Sequence, residues 1–231
     1  MKRTTSLRLV ITGATGMVGE GVLHEALRHA DVEEVLIINR RPAGISHPKL
    51  REIIHADLQD LSPIADQLKG FNACFFCLGV SSVGMPAAQY YELTYTLTLH
   101  VAAVLAEQNA QMSFGYISGA GTDSTESGRS RWARVKGKTE NDLMKLPFRQ
   151  VNCFRPGFIK PIPGMRHTHS FYKYINWLFP LGRALFPGGF CTLPELAAAM
   201  IHAVFVPART QLIDGKKIIS FSDAEAQRMN Q

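Results

Sequence analysis

This 231-residue sequence lacks long apolar runs and an acidic balance, and it has little cysteine. No run of about twenty apolar residues occurs, so no membrane-spanning helix is expected. The basic stretch 1–6 has neither the apolar core nor the cleavage site of a secretory signal. Four cysteines, Cys74, Cys77, Cys153 and Cys191, are too sparse for a disulfide framework, and a reducing cytoplasm is the expected setting. Cys74-x-x-Cys77 has redox spacing, but it lies inside the apolar run 73–78, which reads as a buried strand with free thiols. Acidic residues are outnumbered 19 to 25, for a net charge of +6. The basic run Arg129, Arg131, Arg134, Lys136 and Lys138 carries no zinc-finger spacing or other nucleic-acid motif, so it reads as a solvated helix face and nucleic acid is not an expected partner. Internal repeats and low-complexity tracts are absent as well.

What is present suits a globular α/β protein of one domain, residues 1–231: apolar content is 46% and charged content 19%. Its organising stretch is Val10-Ile11-Thr12-Gly13-Ala14-Thr15-Gly16-Met17-Val18-Gly19. An apolar run, 7–11, precedes it and a helical pattern, 17–29, follows. Strand, glycine turn and helix in that order make a nucleotide pyrophosphate site. Gly13 permits the tight turn, Gly16 a close approach of backbone to phosphate, and Gly19 close packing of helix on strand. Ala14, Thr15, Met17 and Val18 complete the turn. The spacing is G-x-x-G-x-x-G, one residue longer at the first gap than G-x-G-x-x-G.

Strands and helices alternate from there. Strands are expected at 34–38, 51–55, 73–77, 112–117 and 149–154, with helices at 63–69, 87–110 and 131–144. Residues 159–190 are rich in proline, glycine and aromatics, including Phe171, Tyr172, Tyr174, Trp177, Phe179 and Phe186, and read as a small cap beside the sheet. It could line an apolar substrate pocket, meet a partner or form a homodimer contact. A helix at 194–206 has Thr192 as its cap. A last strand is expected at 217–221 and a short helix at 223–231. The fold expected is a Rossmann-type, doubly wound parallel sheet with a small C-terminal cap.

Such sheets bind ligands at the carboxyl ends of their strands. Those ends carry Thr12-Gly13, Asn39-Arg40-Arg41, Asp57-Leu58, Cys77-Leu78-Gly79, Ser118 and Pro156-Gly157. A nicotinamide cofactor without a 2′-phosphate meets an Asp or Glu after the second strand. Here Asn39 stands there, followed by two guanidinium groups able to grip a phosphate through charge-assisted bonds. NADP(H) is therefore expected over NAD(H).

Together with Lys136-Gly137-Lys138-Thr139-Glu140 and Phe154-Arg155-Pro156-Gly157, these motifs resemble an atypical short-chain dehydrogenase/reductase. The similarity is to the NAD(P)-binding subgroup of NmrA-like, TIP-thirty-like and NAD-dependent epimerase-like proteins, and covers about residues 5 to 160. The resemblance implies that Asp57 contacts the adenine, Gly79 lines the nicotinamide ribose and Ser118 orients a substrate carbonyl. It implies that Lys136 holds the ribose hydroxyls and lowers the pKa of a tyrosine four residues earlier, the proton donor.

That position holds Trp132, whose indole cannot exchange a proton usefully near neutral pH. Tyr90, Tyr91, Tyr95 and Tyr172, with His100 and His167, are the candidate replacements. Two functional classes stand open. One is an NADPH-dependent reductase or sugar-type epimerase with a relocated acid, acting on a small-molecule carbonyl or alcohol. The other is a catalytically weak NADPH-binding redox sensor or regulator with a protein partner.

Overall fold

The computed structural model describes residues 6–165, 179–206 and 210–230. Its first unit is built as the sequence pattern requires. Strand β1 (Leu7–Thr12) is buried along nearly its whole length, and helix α1 (Met17–Arg28) follows the glycine turn. Strands β2 (Val32–Asn39), β3 (Leu50–Ile54) and β4 (Ala73–Phe76) come next, with a short 3₁₀ helix at Ser62–Leu68. Seven strands form one parallel sheet in the order β3-β2-β1-β4-β5-β6-β9, with β5 at Ser113–Ile117, β6 at Gln150–Arg155 and β9 at Thr210–Asp214. The chain leaves β1 toward β2 on one side and returns to β4 on the other. The crevice above that reversal is where such sheets take a ligand.

Alternating side chains give the sheet two buried faces. Leu9, Ile11, Val35, Ile37 and Phe75 point to one face, where α1 packs with α6 (Leu193–Phe205) and α7 (Gly215–Met229). Val10, Leu36, Ile38, Cys74, Phe76 and Phe114 point to the other, against Val101, Leu105 and Leu143 of α3 (Leu97–Gln108) and α4 (Arg131–Leu143). The helix expected over 87–110 is α2 (Ala87–Tyr91) running into α3 through a π-helical turn at Glu92–Thr96. Thr192 caps α6 through a reciprocal capping box with Glu195, whose carboxylate also pairs with Arg183.

The region expected as a cap is described at 159–165 and 179–190. Strand β7 (Phe158–Lys160) pairs with β8 (Phe190–Thr192), and α5 (Phe179–Leu185) closes the gap between them. Phe158, Phe179 and Phe190 form a ring cluster with centroids 5.6–6.2 Å apart. Phe171, Tyr172, Tyr174 and Trp177 lie outside the described residues.

The C-terminus corrects the sequence reading. Residues 217–221, expected as a strand, belong to α7, and the last strand is Thr210–Asp214. Locally Ile218-Ile219-Ser220-Phe221 favours a strand. Asp214, however, caps a helix by accepting the Lys217 N–H at 2.9 Å. Helical spacing then puts Ile218, Phe221 and Glu225 on the face turned to the core.

Glu225 fixes that face. Its carboxylate, 3% exposed, meets His29 Nε2 and His202 Nδ1, each at 3.0 Å. Arg228 Nε donates to it at 2.6 Å, and Arg228 also pairs with Asp31 at 2.7 Å. One buried carboxylate thus ties α7 to the ends of α1 and α6. Burial would raise its pKa, but the bonds from His202, His29 and Arg228 prevail and hold it well below the usual range. A lowered carboxylate pKa stabilises the fold fully above the ordinary value of 4.5, and that contribution drains away as pH falls below it. Glu225→Gln is expected to cost about 3 kcal/mol at pH 7 and to flatten the fall in stability from about pH 5 down to about pH 2. Urea denaturation across that range measures both.

Candidate functional site

The crevice is built first by a backbone contact. Gly13 sits at φ +72°, and a Cβ there would come within 2.7 Å of the Leu78 amide nitrogen. A Cβ on Gly19 would lie 2.1 Å from the Gly13 carbonyl oxygen. The turn closes with the Gly16 N–H donating to Gly13 O at 2.9 Å. Gly16 is different: a Cβ there meets nothing nearer than 3.4 Å, so its space opens outward. Gly16 caps α1 without a side chain, which leaves the positive end of the helix facing the crevice. Ala14 is buried, and Thr15 is exposed at the tip of the turn.

Beside the turn lies a cavity of about 230 Å³ lined by Arg40, Asp57, Leu58 and Leu78, together with Gln59 and Leu93. Four residues named from strand ends therefore share one wall. Arg40 and Arg41 are exposed. Asn39 is buried and donates to Glu52 Oε1 at 2.8 Å, and the Ala43 N–H donates to the same oxygen at 2.8 Å. A carboxylate does stand at this edge, from β3 and not from β2, with Oε1 committed to Asn39 and the loop. Asp57 accepts the Gln59 N–H at 2.8 Å and holds the 56–59 bend in shape. The backbone signature of 77–79 is tightness at one end and openness at the other: the Cys77 N–H donates to Thr12 O at 3.2 Å, while nothing lies within 4 Å of a Cβ placed on Gly79.

All four cysteines are free, and burial pushes the thiols of Cys77 and Cys191 up to about 12. They are not thiolates near neutral pH.

The second half of the site lies over β5 and β6. A cavity of about 670 Å³ is lined by Ala120, Gly121, Arg155, Phe186, Asp214 and Lys216, among others. Ser118 is not on its wall. The Ser118 hydroxyl lies 2.5 Å from Glu140 Oε1 and 3.1 Å from Phe154 O, so its single proton is used within the core. Glu140 is fully buried and also accepts from Arg155 Nε at 3.0 Å. Arg155 Nη2 reaches Glu140 and Ser124 as well. The hydroxyl expected to orient a carbonyl instead helps lock β5, β6 and α4 together. Pro156 carries the next link, its carbonyl accepting the Ala120 N–H at 2.8 Å, and Gly157 packs under Gly189.

Lys136 reaches the end of β5 from α4. Its Nζ donates to Ser118 O at 2.6 Å and Ile117 O at 3.2 Å and lies 5.8 Å from the Tyr116 ring centre. Burial lowers its pKa to about 8 against the opposing charge of Glu140. Trp132, one turn earlier, packs its ring edge toward Gly121 on the wall of the larger cavity.

The other proton-donor candidates are placed elsewhere. Tyr95 donates to Asp142 at 2.8 Å, Tyr91 packs on Tyr95, and Tyr90 is 1% exposed. His100 Nε2 is buried on α3 without a hydrogen-bond partner among the described residues. Tyr172 and His167 lie outside the described residues. The basic run is largely consumed by the protein: Arg131 donates to Met85 O, Arg134 to Gly128 O, and Lys138 pairs with Asp142.

The profile of the NAD dependent epimerase/dehydratase family matches residues 9–131, more than half of the chain. The chain belongs to that family. Among solved structures, it superposes on a UDP-N-acetylglucosamine 4-epimerase from Methanobrevibacter ruminantium with TM-score 0.66, 16% identity and coverage of 94% of this chain and 81% of that one. MoeE5 in complex with UDP-glucose and NAD gives 0.65, 18%, 94% and 81%. WbmF of Bordetella bronchiseptica in complex with NAD+ gives 0.65, 15%, 98% and 79%. At these identities the likeness is one of fold, the NAD(P)-binding Rossmann architecture of atypical short-chain dehydrogenases and epimerases.

Curated relatives include the mitochondrial protein fmp52-1 of Aspergillus oryzae, 28% identical over 156 residues, and the mitochondrial protein FMP52 of Debaryomyces hansenii, 26% identical over 149. Each alignment covers 64% of this chain and 64% of the relative, just under two thirds of the relative's length. These names overturn the cytoplasmic setting expected from the cysteine content. Free buried thiols exclude a disulfide framework, but they carry no address.

The glycine turn makes a direct prediction. Gly19→Ala forces a Cβ into the Gly13 carbonyl, which nothing flexible can relieve, and is expected to lower stability by about 1–3 kcal/mol. Thermal and urea denaturation measure the loss.

Proposed function

We propose that this protein is an NADP(H)-binding reductase of the short-chain dehydrogenase type, acting on a small carbonyl or alcohol. The observation that carries the reading is the cavity beside the glycine turn, where Arg40, Asp57, Leu58 and Leu78 meet. The residues fit a dinucleotide. Gly16 leaves room for phosphate at the positive end of α1. Leu58, Leu78 and Leu93 offer apolar surface to a base, and Asp57 offers an acceptor. Exposed Arg40 and Arg41 follow β2, where a 2′-phosphate needs cations.

A bound nicotinamide would supply the hydride. This chain's residues supply the rest. The 77–79 turn, held against Gly13, gives Leu78 to the wall of the smaller cavity. The end of β5 is fixed by Ser118, Glu140 and Arg155, and Lys136 stands there with its ammonium on two backbone carbonyls. The larger cavity sets Lys216 beside Asp214 and offers an apolar wall of Leu185 and Phe186 to the body of a substrate.

A second reading is favoured by two observations, Trp132 in the tyrosine position and the Ser118 proton turned to Glu140. It makes the protein an NADPH-binding sensor or a regulator of a protein partner. Consumption of NADPH with a panel of aldehydes and ketones separates the two.

Cofactor choice is tested at the β2 edge. The Arg40→Ala, Arg41→Ala double variant is expected to weaken NADPH binding at least tenfold and NADH binding less than threefold, in line with about 1.5–3 kcal/mol for hydrogen bonds to charged groups. Calorimetric titration with both cofactors measures this, and equal losses would contradict the 2′-phosphate assignment.

A further inference from the structure

We propose that Glu52 is the positioning residue behind cofactor choice, holding the segment 40–42 so that Arg40 and Arg41 meet the 2′-phosphate of an adenine dinucleotide. The proposal rests on the NADP(H) reading above and names the group that gives those guanidiniums their place.

The hydrogen bonds are the first argument. Asn39 ends β2, and Ala43 follows the two arginines and Pro42. Both donate to one atom: Asn39 Nδ2 and the Ala43 N–H each lie 2.8 Å from Glu52 Oε1. A carboxylate oxygen has the lone pairs to accept both. Residues 40–42 therefore form a short arch with both feet on the same oxygen. The Asn39 foot is fixed a second time, because its carbonyl accepts the His55 N–H at 2.8 Å. Pro42 narrows the backbone freedom of Arg41 as well as its own.

Placement is the second argument. The register of β2 and β3 sets Glu52 opposite Ile37. Paired residues of a sheet share a face, and Ile37 points to the face on which α1 packs. Ala43 is buried in that same cluster, and Met17 and Val18 at the start of α1 pack against it. The arch thus closes over the face of the sheet from which α1 begins. Arg40 lines the smaller cavity, and both arginines are exposed.

Charge is the third argument. Glu52 Oε1 is engaged by protein donors. Among the described residues no ion pair joins Glu52 to Arg40 or Arg41, so the carboxylate does not neutralise the cations it places. The neighbouring Arg51 is held by Glu34 instead. A guanidinium carried on a fixed arch loses less freedom when it grips a phosphate, and that saving strengthens binding. NADH has no 2′-phosphate and draws nothing from the arch. Glu52 therefore acts on the ratio of the two affinities.

The test is calorimetric titration of the full chain with NADPH and with NADH. Glu52→Ala removes both feet and is expected to weaken NADPH binding by about fivefold or more, with NADH changed by less than about twofold. Glu52→Gln keeps an amide oxygen able to accept both N–H groups, and should hold the affinity ratio within about twofold of the natural protein. In the Arg40→Ala, Arg41→Ala background, Glu52→Ala should move the ratio by less than about twofold, because a residue acting through the guanidiniums has nothing left to act on. Should Glu52→Ala not fold, Asn39→Ala frees one foot and is expected to weaken NADPH alone, by about threefold. An unchanged ratio in the alanine variant, with both cofactors retained or both lost equally, would overturn the positioning role. So would a larger loss of NADH, which would mark the carboxylate as a partner of the ribose hydroxyls. A ratio shift that persists without the two arginines, or a glutamine variant as impaired as the alanine one, would overturn it as well. A natural protein that binds no NADPH, or binds it no better than NADH, overturns instead the NADP(H) reading beneath.

Discussion

Two atoms that cannot both be given room set the shape of this molecule. The Gly13 carbonyl and the Cα of Gly19 approach so closely that no side chain fits between strand β1 and helix α1. That contact fixes where the first turn of α1 points. On its other side Gly13 presses against the backbone of Leu78, so the same residue positions the end of β4. The smaller cavity lies between the turn after β4, at Leu78 and Val80, and the 56–59 bend. Binding geometry here follows from backbone packing, which is stiff, and leaves side chains to choose the ligand.

A second lock works at the other half of the sheet. Glu140, with no exposure, joins Ser118 of the β5 end to Arg155 of the β6 end. Buried ion pairs add little net stability, but losing one partner leaves an uncompensated charge, so they hold a geometry tightly. Two carbonyls at the end of β5 are thereby fixed where Lys136 uses them. Each cavity pairs a cation with a carboxylate, Arg40 with Asp57 in the smaller and Lys216 with Asp214 in the larger.

Much of this was legible in the sequence. Strand β1, the glycine turn and α1 declare themselves through local spacing, because a turn, a cap and a helical stripe are local facts. The strand ends at Arg40, Asp57 and Leu78 could be named for the same reason, since a parallel sheet brings its carboxyl ends to one edge. Ser118 shows where such reading stops. Its proton is claimed by Glu140, 22 positions away, and no local pattern reveals that pairing. The wall at Lys216 was hidden for a related reason. Residues 217–221 look like a strand until Asp214 caps them and Glu225 finds His29 and His202 across the fold. One signal was available, since isoleucine, phenylalanine and glutamate at 218, 221 and 225 share a helical face. Ala120, which lines the larger cavity, offered none.

If this protein binds a dinucleotide as proposed, the ligand lies across this edge of the sheet, from the 56–58 bend to the start of α1. Hydrogen exchange of the full chain with and without NADPH, resolved to short peptides by mass spectrometry, tests it most directly. Slowed exchange is expected in two separated places, the amides of 13–19 and those of 56–59, with little change at the far ends of the strands. Binding that protects neither stretch, or no binding at all, would contradict it.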